Sequence, residues 1–143
     1  MSILETKGLC KSYGSNSVLS DVDFRIDKGE FIAIMGQSGC GKSTLLYCIS
    51  GMDKSSAGKI CFDGVDMADL TNKQMQELRL KRMGFVFQKT SFLKNLSIID
   101  NIVYPAFQLG KVNRSEIVKE ALSLMEDMGI SSIAENDIHK VSG

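Results

Sequence analysis

The first third of the chain carries the alternating and continuous apolar patterns of β-strands. An apolar-rich segment at 3–9 is followed at 21–27 by Asp-Val-Asp-Phe-Arg-Ile-Asp, whose strict alternation is typical of a half-buried strand. The run Phe-Ile-Ala-Ile-Met at 31–35 has no polar position, as in a parallel strand covered on both faces. We therefore predict three strands in this region, with Lys-Gly-Glu at 28–30 as the turn before the third.

The middle of the chain predicts one helix and two short strands. Residues 43–50 follow a glycine-rich stretch and predict a helix closed by Gly51, because glycine readily adopts the left-handed conformation of a helix end. A short strand at 59–62 ends in an Asp-Gly turn, and Phe-Val-Phe at 85–87 predicts another strand. Strands and helices thus alternate, which is the order expected of an α/β fold.

Three pairs of capping residues predict the helices of the second half. In each pair a Thr, Ser or Asn stands three residues before a Gln, Asp or Glu, which is the pattern of a helix start. The pairs are Thr71 with Gln74, Ser97 with Asp100, and Asn113 with Glu116. The first helix is expected to run to about Lys81, and Pro105 is expected to kink or break the second.

The third of these helices has the clearest amphipathic pattern. Gly129 ends it, and its apolar residues fall on one stripe that would face a core. The stripe consists of Ile117, Val118, Ala121, Leu122, Met125 and Met128. The pattern predicts a helical cluster late in an α/β chain.

Composition and charge exclude several classes of protein. The chain has 143 residues, of which 43% are hydrophobic and 24% are charged, as in an ordinary folded domain. The longest apolar run, at 31–35, is too short for a membrane-spanning helix, which needs about 20 residues. Because 17 basic residues balance 17 acidic ones, no global field favours nucleic acid. Four cysteines without a C-x-x-C motif and no signal-peptide pattern point to the cytosol.

The decisive segment is a glycine-rich loop at 36–44, Gly-Gln-Ser-Gly-Cys-Gly-Lys-Ser-Thr, which fits the pattern G-x-x-x-x-G-K-[ST]. Its glycines let the backbone curl so that successive N–H groups point at phosphate oxygens. Lys42 adds a cation for the β- and γ-phosphates, and the Ser43 hydroxyl is a hard ligand for Mg²⁺. Since the loop lies between an apolar run and a helix, the residues predict binding of a nucleoside triphosphate with Mg²⁺.

In the order of its motifs, the chain resembles the ATP-binding cassette (ABC) ATPases. The phosphate loop looks like that family's usual form, with Cys40 where Ser or Ala is commoner. Tyr13 stands like the family's aromatic residue that stacks on adenine, and Gln88 resembles the glutamine that touches Mg²⁺ and the attacking water. Val-Ser-Gly at 141–143 resembles the opening of the LSGGQ signature, which in the family contacts the nucleotide of a second cassette.

The resemblance implies a site for ATP and Mg²⁺. Lys42 and Gln88 are the only catalytic residues it places in this sequence, and Ser43 and Gln88 would bind the metal. Ser142 and Gly143 would act on the nucleotide of the second cassette. The implied nucleotide-binding residues are Tyr13, Val18, Gly36, Gln37, Ser38, Gly39, Cys40, Gly41, Lys42, Ser43, Thr44 and Gln88.

The resemblance also implies a P-loop NTPase fold that is only partly present. An N-terminal antiparallel β-subdomain at 1–30, a partial RecA-like core at 31–88 and a helical subdomain at 89–143 would form an incomplete ABC ATPase domain. No apolar strand ending in Asp-Glu follows the signature, so the family's catalytic Glu and switch His are absent from this sequence. We therefore expect the strand at 31–35 to lack a neighbour, and we expect these residues to bind ATP weakly without normal hydrolysis.

Three functions are compatible with these motifs. The favoured one is the ATP-binding subunit of an ABC transporter, which couples ATP binding and hydrolysis to export by a membrane permease at the cytoplasmic face of the membrane. Residues 78–88 and 101–111 resemble the subgroup that partners FtsX-like permeases in lipoprotein, peptide or antibiotic export. The alternatives are a non-catalytic truncated cassette that binds nucleotide or pairs with an intact cassette, and a cassette factor of translation or repair.

Two further features carry hypotheses. Residues 73–94 contain six basic residues against Glu77 alone, which fits a solvated helix face or a surface near the permease and lipid headgroups. The thiol of Cys40 lies inside the phosphate loop, so its oxidation or alkylation is expected to block the nucleotide.

Overall fold

The computed structural model describes residues 2–88, 92–110 and 113–138, and they form two compact units, 1–83 and 84–143. The elements of the first unit are β1 (Ser2–Tyr13), β2 (Asn16–Asp27), α1 (Lys42–Ile49), β3 (Ala57–Phe62), β4 (Val65–Asp66) and α2 (Asn72–Arg82). Those of the second unit are α3 (Ile98–Gln108) and α4 (Arg114–Asp127). Short 3₁₀ turns at Met67–Asp69 and Ser131–Ile133 complete the described elements.

The four strands of the first unit form one antiparallel sheet in the order β2-β1-β3-β4. The strands predicted at 3–9 and 21–27 are confirmed as β1 and β2, which are longer than predicted and form a hairpin. The strand at 59–62 is confirmed as part of β3, and its Asp-Gly turn adopts positive φ at both residues. This sheet confirms the antiparallel β-subdomain.

The central pair of strands, β1 and β3, approaches unusually closely at Gly8 and Gly58. The register between the two strands shifts at this place, and Gly58 has a φ of +84°. A Cβ atom at position 58 would lie 2.2 Å from the carbonyl oxygen of Gly8. Glycine is therefore required at position 58 both for its backbone conformation and for the space it leaves.

The core of the first unit lies between one face of the sheet and α1. It consists of Leu4, Leu9, Leu19, Cys48, Ile60, Phe62 and Met67. Cys48 is the fully buried residue of α1, and Leu45 and Ile49 of the same helix pack against this cluster. Because burial of apolar surface drives this packing, the start of α1 is held against the β1–β2 hairpin.

The segment 31–35 is not a strand, so this prediction is wrong. Phe31 and Met35 are 94% and 87% exposed, and none of the described residues pairs with the segment in a sheet. A continuous apolar run becomes a buried strand only when neighbours supply hydrogen bonds on its edges and cover its faces.

The strand predicted at 85–87 is also absent from the second unit. Val86 is fully exposed, and the rings of Phe85 and Phe87 stack on each other with their centroids 6.0 Å apart. The side chains of residues 85–87 alternate as they do in extended backbone. No strand among the described residues pairs with this segment. The physical reason is the same as for 31–35.

The helices of the second unit begin where the capping residues predicted. The Ser97 hydroxyl accepts from the backbone N–H of Asp100 at 3.1 Å, and Asn113 caps α4 in the same way. Pro105 lies within α3, which continues to Gln108, so the proline does not break the helix. The core of this unit consists of Ile99, Val103, Ile117, Ala121, Met125 and Ala134.

The apolar stripe of α4 is narrower than the sequence predicted. Ile117, Ala121 and Met125 are buried, whereas Leu122 is exposed and Met128 is 72% exposed. The predicted stripe would suit a helix that packs against neighbours on two sides. In this unit α3 and the 3₁₀ turn at Ser131–Ile133 pack against only one side of α4. None of the described helices is long and apolar enough to cross a membrane.

Three of the six basic residues at 73–94, all of them on α2, make contacts within the first unit. Arg79 donates to the carbonyl oxygen of Gly51 at 2.7 Å, and Arg82 pairs with Asp63 at 2.6 Å. Lys81 pairs with Glu77 one helical turn away, on a helix that begins with the predicted capping box of Thr71 and Gln74. These contacts neutralise part of the charge of this helix face. Lys89 lies outside the described residues.

Candidate functional site

The phosphate loop enters α1 through two glycines in the left-handed backbone region. Gly39 and Gly41 have φ values of +81° and +94°, which other L-residues rarely adopt. Gly41 is the N-cap of α1, and a Cβ atom there would lie 3.1 Å from the carbonyl oxygen of Val18. Close packing against β2 therefore sets the point at which the loop turns into the helix.

The start of α1 differs from the other described α-helices because no side chain caps it. Thr71, Ser97 and Asn113 accept hydrogen bonds from the first turns of α2, α3 and α4, whereas Gly41 has no side chain to do so. The first turn of a helix carries N–H groups without partners in the helix, and its dipole favours an anion. The loop thus leaves these donors for a ligand.

Lys42 brings a positive charge to the same place. Its ammonium group donates to the carbonyl oxygens of Gly36 and Gln37 at 2.8 and 2.7 Å, so the side chain folds back across the loop. Ser43 and Thr44 follow in the first turn of α1, where the Ser43 side chain is exposed. Backbone donors, an ammonium group and a hydroxyl therefore converge within one loop.

Cys40 lies inside this loop with its thiol turned toward the lysine. Its Sγ atom is 3.6 Å from the Lys42 ammonium, and a Cβ atom placed on Gly36 would lie 2.6 Å from the sulfur. The residue is exposed and its thiol is free. A reagent can therefore reach the sulfur, and an added group would fill the concave side of the loop.

Alkylation of Cys40 is expected to abolish nucleotide binding by this chain. The added carboxamidomethyl group would compete with a ligand for the space between Gly36 and Lys42. Treatment with iodoacetamide followed by an ATP-binding titration measures this effect, with modification of Cys40 verified by peptide mass. In the Cys40→Ser variant the same treatment is expected to leave ATP binding unchanged. The hypothesis fails if the chain with its natural Cys40, after alkylation, binds ATP with its original affinity.

Tyr13, at the end of β1, lies beside the loop and is held on one side. Its ring is 49% exposed, and the Lys11 ammonium lies 4.5 Å from the ring centroid. The Tyr13 hydroxyl donates to Oδ2 of Asp53, which follows α1, and it also lies beside the Thr44 hydroxyl. The side chain at the end of the hairpin is thereby connected to both ends of α1.

Asp53 is the centre of this polar cluster. Lys11 donates to Oδ1 of Asp53 at 2.6 Å and to the carbonyl oxygen of Lys54 at 2.7 Å. These hydrogen bonds, first from Lys11 and then from Tyr13, lower the pKa of Asp53. The same contacts raise the pKa of Lys11 and of Tyr13, since each loses a proton less readily beside a carboxylate.

The cluster is expected to make stability depend on pH in the acid range. Because the pKa of Asp53 is lower in the folded chain than the ordinary 3.8, its contribution is present above that value and is lost as pH falls through the folded pKa. Thermal unfolding of the chain and of Asp53→Asn should therefore differ by a constant amount between about pH 5 and 7. The difference should shrink below about pH 4. A difference that persists undiminished in acid contradicts this assignment.

The structure brings some of the predicted site residues together and leaves others apart. Tyr13, Val18 and the loop at 36–44 belong to the first unit. Gln88 is an exposed residue of the second unit. Ser142 and Gly143 lie outside the described residues. Sequence reasoning missed Lys11 and Asp53. The Lys-x-Tyr spacing on one strand face was a signal for Lys11, but nothing local pointed to Asp53.

Comparison with known proteins decides the family. Residues 19–143, which are most of the chain, match the family described as ABC transporter. The chain belongs to the ABC transporter family. The resemblance seen in the sequence motifs is thereby confirmed, and Tyr13 precedes the matched residues of this ABC cassette.

Two relatives of this cassette are ATP-binding proteins named for lipoprotein release and for macrolide export. It is 37% identical to the lipoprotein-releasing system ATP-binding protein LolD of Porphyromonas gingivalis, over 99% of this chain and 64% of LolD. It is 36% identical to the macrolide export ATP-binding/permease protein MacB of Aggregatibacter actinomycetemcomitans, over all of this chain and 23% of MacB. The chain thus spans less than two thirds of the length of these relatives.

A solved structure confirms the fold class. The ATP-binding cassette MJ0796, in a dimeric post-hydrolysis state bound to ADP and phosphate, matches 97% of this chain with a TM-score of 0.89 and 29% identity. The matched part is 63% of the MJ0796 chain. The cassette described here therefore has the ABC fold over the part that it covers.

Proposed function

We propose that this chain is part of the ATP-binding subunit of an ABC transporter that exports its substrate through a membrane permease. The observation that carries the proposal is the uncapped start of α1, where the Lys42 ammonium and the glycine-rich backbone face the same loop. An arrangement of N–H donors and a lysine is suited to a polyphosphate.

The residues fit ATP and Mg²⁺ by the chemistry of their donors. The loop at 36–44 would hold the phosphates, with Lys42 on the β- and γ-phosphates, and Ser43 would supply an oxygen to Mg²⁺. Tyr13 would stack on adenine with its exposed face, and Val18 would line the site beside Gly41. In the complete cassette the bound magnesium ion would neutralise charge that develops on the γ-phosphate.

Gln88 and the signature residues complete the proposed site. Gln88 would meet Mg²⁺ and the attacking water, and Ser142 and Gly143 would reach the nucleotide of a second cassette. The dimeric state of MJ0796 supports the second cassette as a partner. The name of MacB, an ATP-binding and permease protein, supports a permease as the other partner. The chain would then lie at the cytoplasmic face of the membrane, peripheral to the permease.

The export of lipoproteins, peptides or antibiotics is the finer part of the proposal. LolD and MacB are named for lipoprotein release and macrolide export, which supports the subgroup that works with FtsX-like permeases. The gene that follows this coding sequence distinguishes the possibilities. An adjacent permease gene and an in-frame continuation into an apolar strand ending in Asp-Glu support the proposal. A stop codon directly after Gly143 favours the non-catalytic truncated cassette.

Binding and hydrolysis by the 143 residues test the proposal directly. Calorimetric titration with ATP is expected to show binding that weakens when EDTA removes Mg²⁺. Phosphate release is expected to stay at background, because the sequence contains no Asp-Glu pair after an apolar strand. A chain that folds but binds no ATP at millimolar concentration would overturn the proposed function. Turnover at the rate of a complete cassette would overturn the expectation of inactivity.

A further inference from the structure

The Tyr13 ring is held more firmly than its position at the end of a hairpin requires. The residue ends β1, two residues before β2 begins, and a half-exposed side chain there would ordinarily sample several rotamers. Instead its hydroxyl is bound by Asp53 and its ring lies 4.5 Å from the Lys11 ammonium. These two contacts approach different parts of the ring and restrict both of its torsions.

Asp53 is the residue that joins the two contacts. One of its carboxylate oxygens accepts from Lys11 and the other accepts from Tyr13. Lys11 is buried, with only 9% of its side chain exposed, so its ammonium group depends on Asp53 and on the carbonyl oxygen of Lys54. Removing the carboxylate would therefore release the ring hydroxyl and the cation together.

The geometry leaves one face of the ring for a ligand. The Lys11 ammonium occupies one face, in the position of a cation–π contact. The hydrogen bond to Asp53 fixes the direction of the ring's long axis, and the Lys11 ammonium over the ring fixes which way its plane faces. The exposed half of the ring is then a preformed platform beside the first turn of α1, and preformed surfaces bind without the cost of ordering a side chain.

We propose that Asp53 is a positioning residue for the nucleotide base: through Lys11 and the Tyr13 hydroxyl it orients the aromatic ring on which the base stacks. The proposal rests on the proposed function and adds a residue that acts on the ring and not on the phosphates. Both carboxylate oxygens of Asp53 are engaged within the chain, so its effect on the ligand passes through Tyr13. The hydrogen bonds of Asp53 go to Lys11, Tyr13 and the Lys54 backbone, and not to the loop at 36–44.

The test compares a ligand that has a base with one that has none. Affinities for ATP and for inorganic tripolyphosphate, both with Mg²⁺, are measured by titration calorimetry on the unaltered chain and on Asp53→Asn. Because stacking on an aromatic ring contributes to the affinity for a base, losing part of it should weaken ATP binding about three- to tenfold. Tripolyphosphate binding should change less than about twofold.

Two further variants separate positioning from a general loss of structure. Asp63→Asn is the matched control, since Asp63 is an ion-paired aspartate of the same unit whose partner is Arg82 on α2. It should change neither affinity. In a Tyr13→Ala background, where no ring remains to be oriented, Asp53→Asn should weaken ATP binding no further. If Asp53→Asn does not fold, Lys11→Gln supplies the same comparison from the other side of the cluster.

Several results would overturn the inference. Equal losses of ATP and tripolyphosphate affinity would show that Asp53 supports the whole site. An unchanged ATP affinity, or an undiminished effect in the Tyr13→Ala background, would show that it does not act through the ring. If the unaltered chain binds ATP no more tightly than tripolyphosphate, the result would support the phosphate site but contradict stacking of the base on Tyr13. Absence of binding to both ligands would overturn the proposed function together with this inference.

Discussion

Replacing Lys42 by alanine is expected to lower the affinity for ATP about 100-fold or more. The Lys42 ammonium lies within the phosphate loop, where it would meet the most highly charged part of the ligand. Hydrogen bonds to charged groups are worth about 1.5–3 kcal/mol each, and the loop offers the ammonium two acceptor positions that a triphosphate would replace. Two such contacts correspond to about 3–6 kcal/mol, which is two or more powers of ten in affinity.

The same substitution is expected to leave the fold intact. The carbonyl oxygens of Gly36 and Gln37 lie on an exposed loop, so water can replace the lysine as their donor. Calorimetric titration with ATP and a thermal unfolding curve, measured on the same preparation, separate binding from stability. Lys73→Ala is the control, because Lys73 is an exposed lysine on α2 of the same unit. An affinity of Lys42→Ala within about threefold of the unaltered chain would contradict the assignment of the loop as the phosphate site.

Gly58→Ala is expected to destabilise the first unit by about 2–5 kcal/mol. The left-handed conformation costs an L-residue about 1–2 kcal/mol, and overpacking in a region that cannot give way costs about 1–3 kcal/mol more. The atoms that a Cβ would meet are backbone atoms of Gly8 and Leu9, at 2.2 to 2.7 Å, so the two central strands would have to separate. A loss of this size is a large part of the stability of a small domain.

Gly29→Ala is the matched control for this substitution. Gly29 has a φ of +88°, nearly the same as the +84° of Gly58, but a Cβ atom there would meet nothing within 4 Å. Gly29→Ala should therefore lower the free energy of unfolding only by the cost of the left-handed backbone conformation, about 1–2 kcal/mol. Urea unfolding followed by circular dichroism gives the free energy of unfolding for each variant. Equal losses in the two variants would show that the close approach of β1 and β3 contributes nothing.

The helices were predictable because their signals are local. A capping side chain and the backbone N–H that it satisfies lie three residues apart, as with Thr71 and Gln74 or Ser97 and Asp100. Such contacts form whatever the rest of the chain does, so their position can be read without knowledge of the fold. The glycine-rich loop that leads into α1 was predictable for the same reason, since its glycines, its lysine and the helix start are consecutive in the sequence.

The strands predicted at 31–35 and 85–87 do not form, and their own residues could not show this. The patterns at 31–35 and 85–87 show that these segments suit a sheet, but a strand exists only when another backbone satisfies its N–H and C=O groups. Among the described residues no strand pairs with either segment. Pro105 does not break α3, which continues past the proline to Gln108 and buries Ile99 and Val103.

By itself the sequence determined the first two strands, the helix starts, the glycine-rich loop before α1 and, through the order of its motifs, the family. Each of these depends on residues within one short segment or on the order of such segments along the chain. Only the tertiary structure decided which residues hold Tyr13 and which strands find partners. Lys11 and Asp53 are 42 positions apart, and they meet because the packing of α1 on the sheet brings them together. No local pattern encodes such a contact, since its geometry exists only after the core has formed.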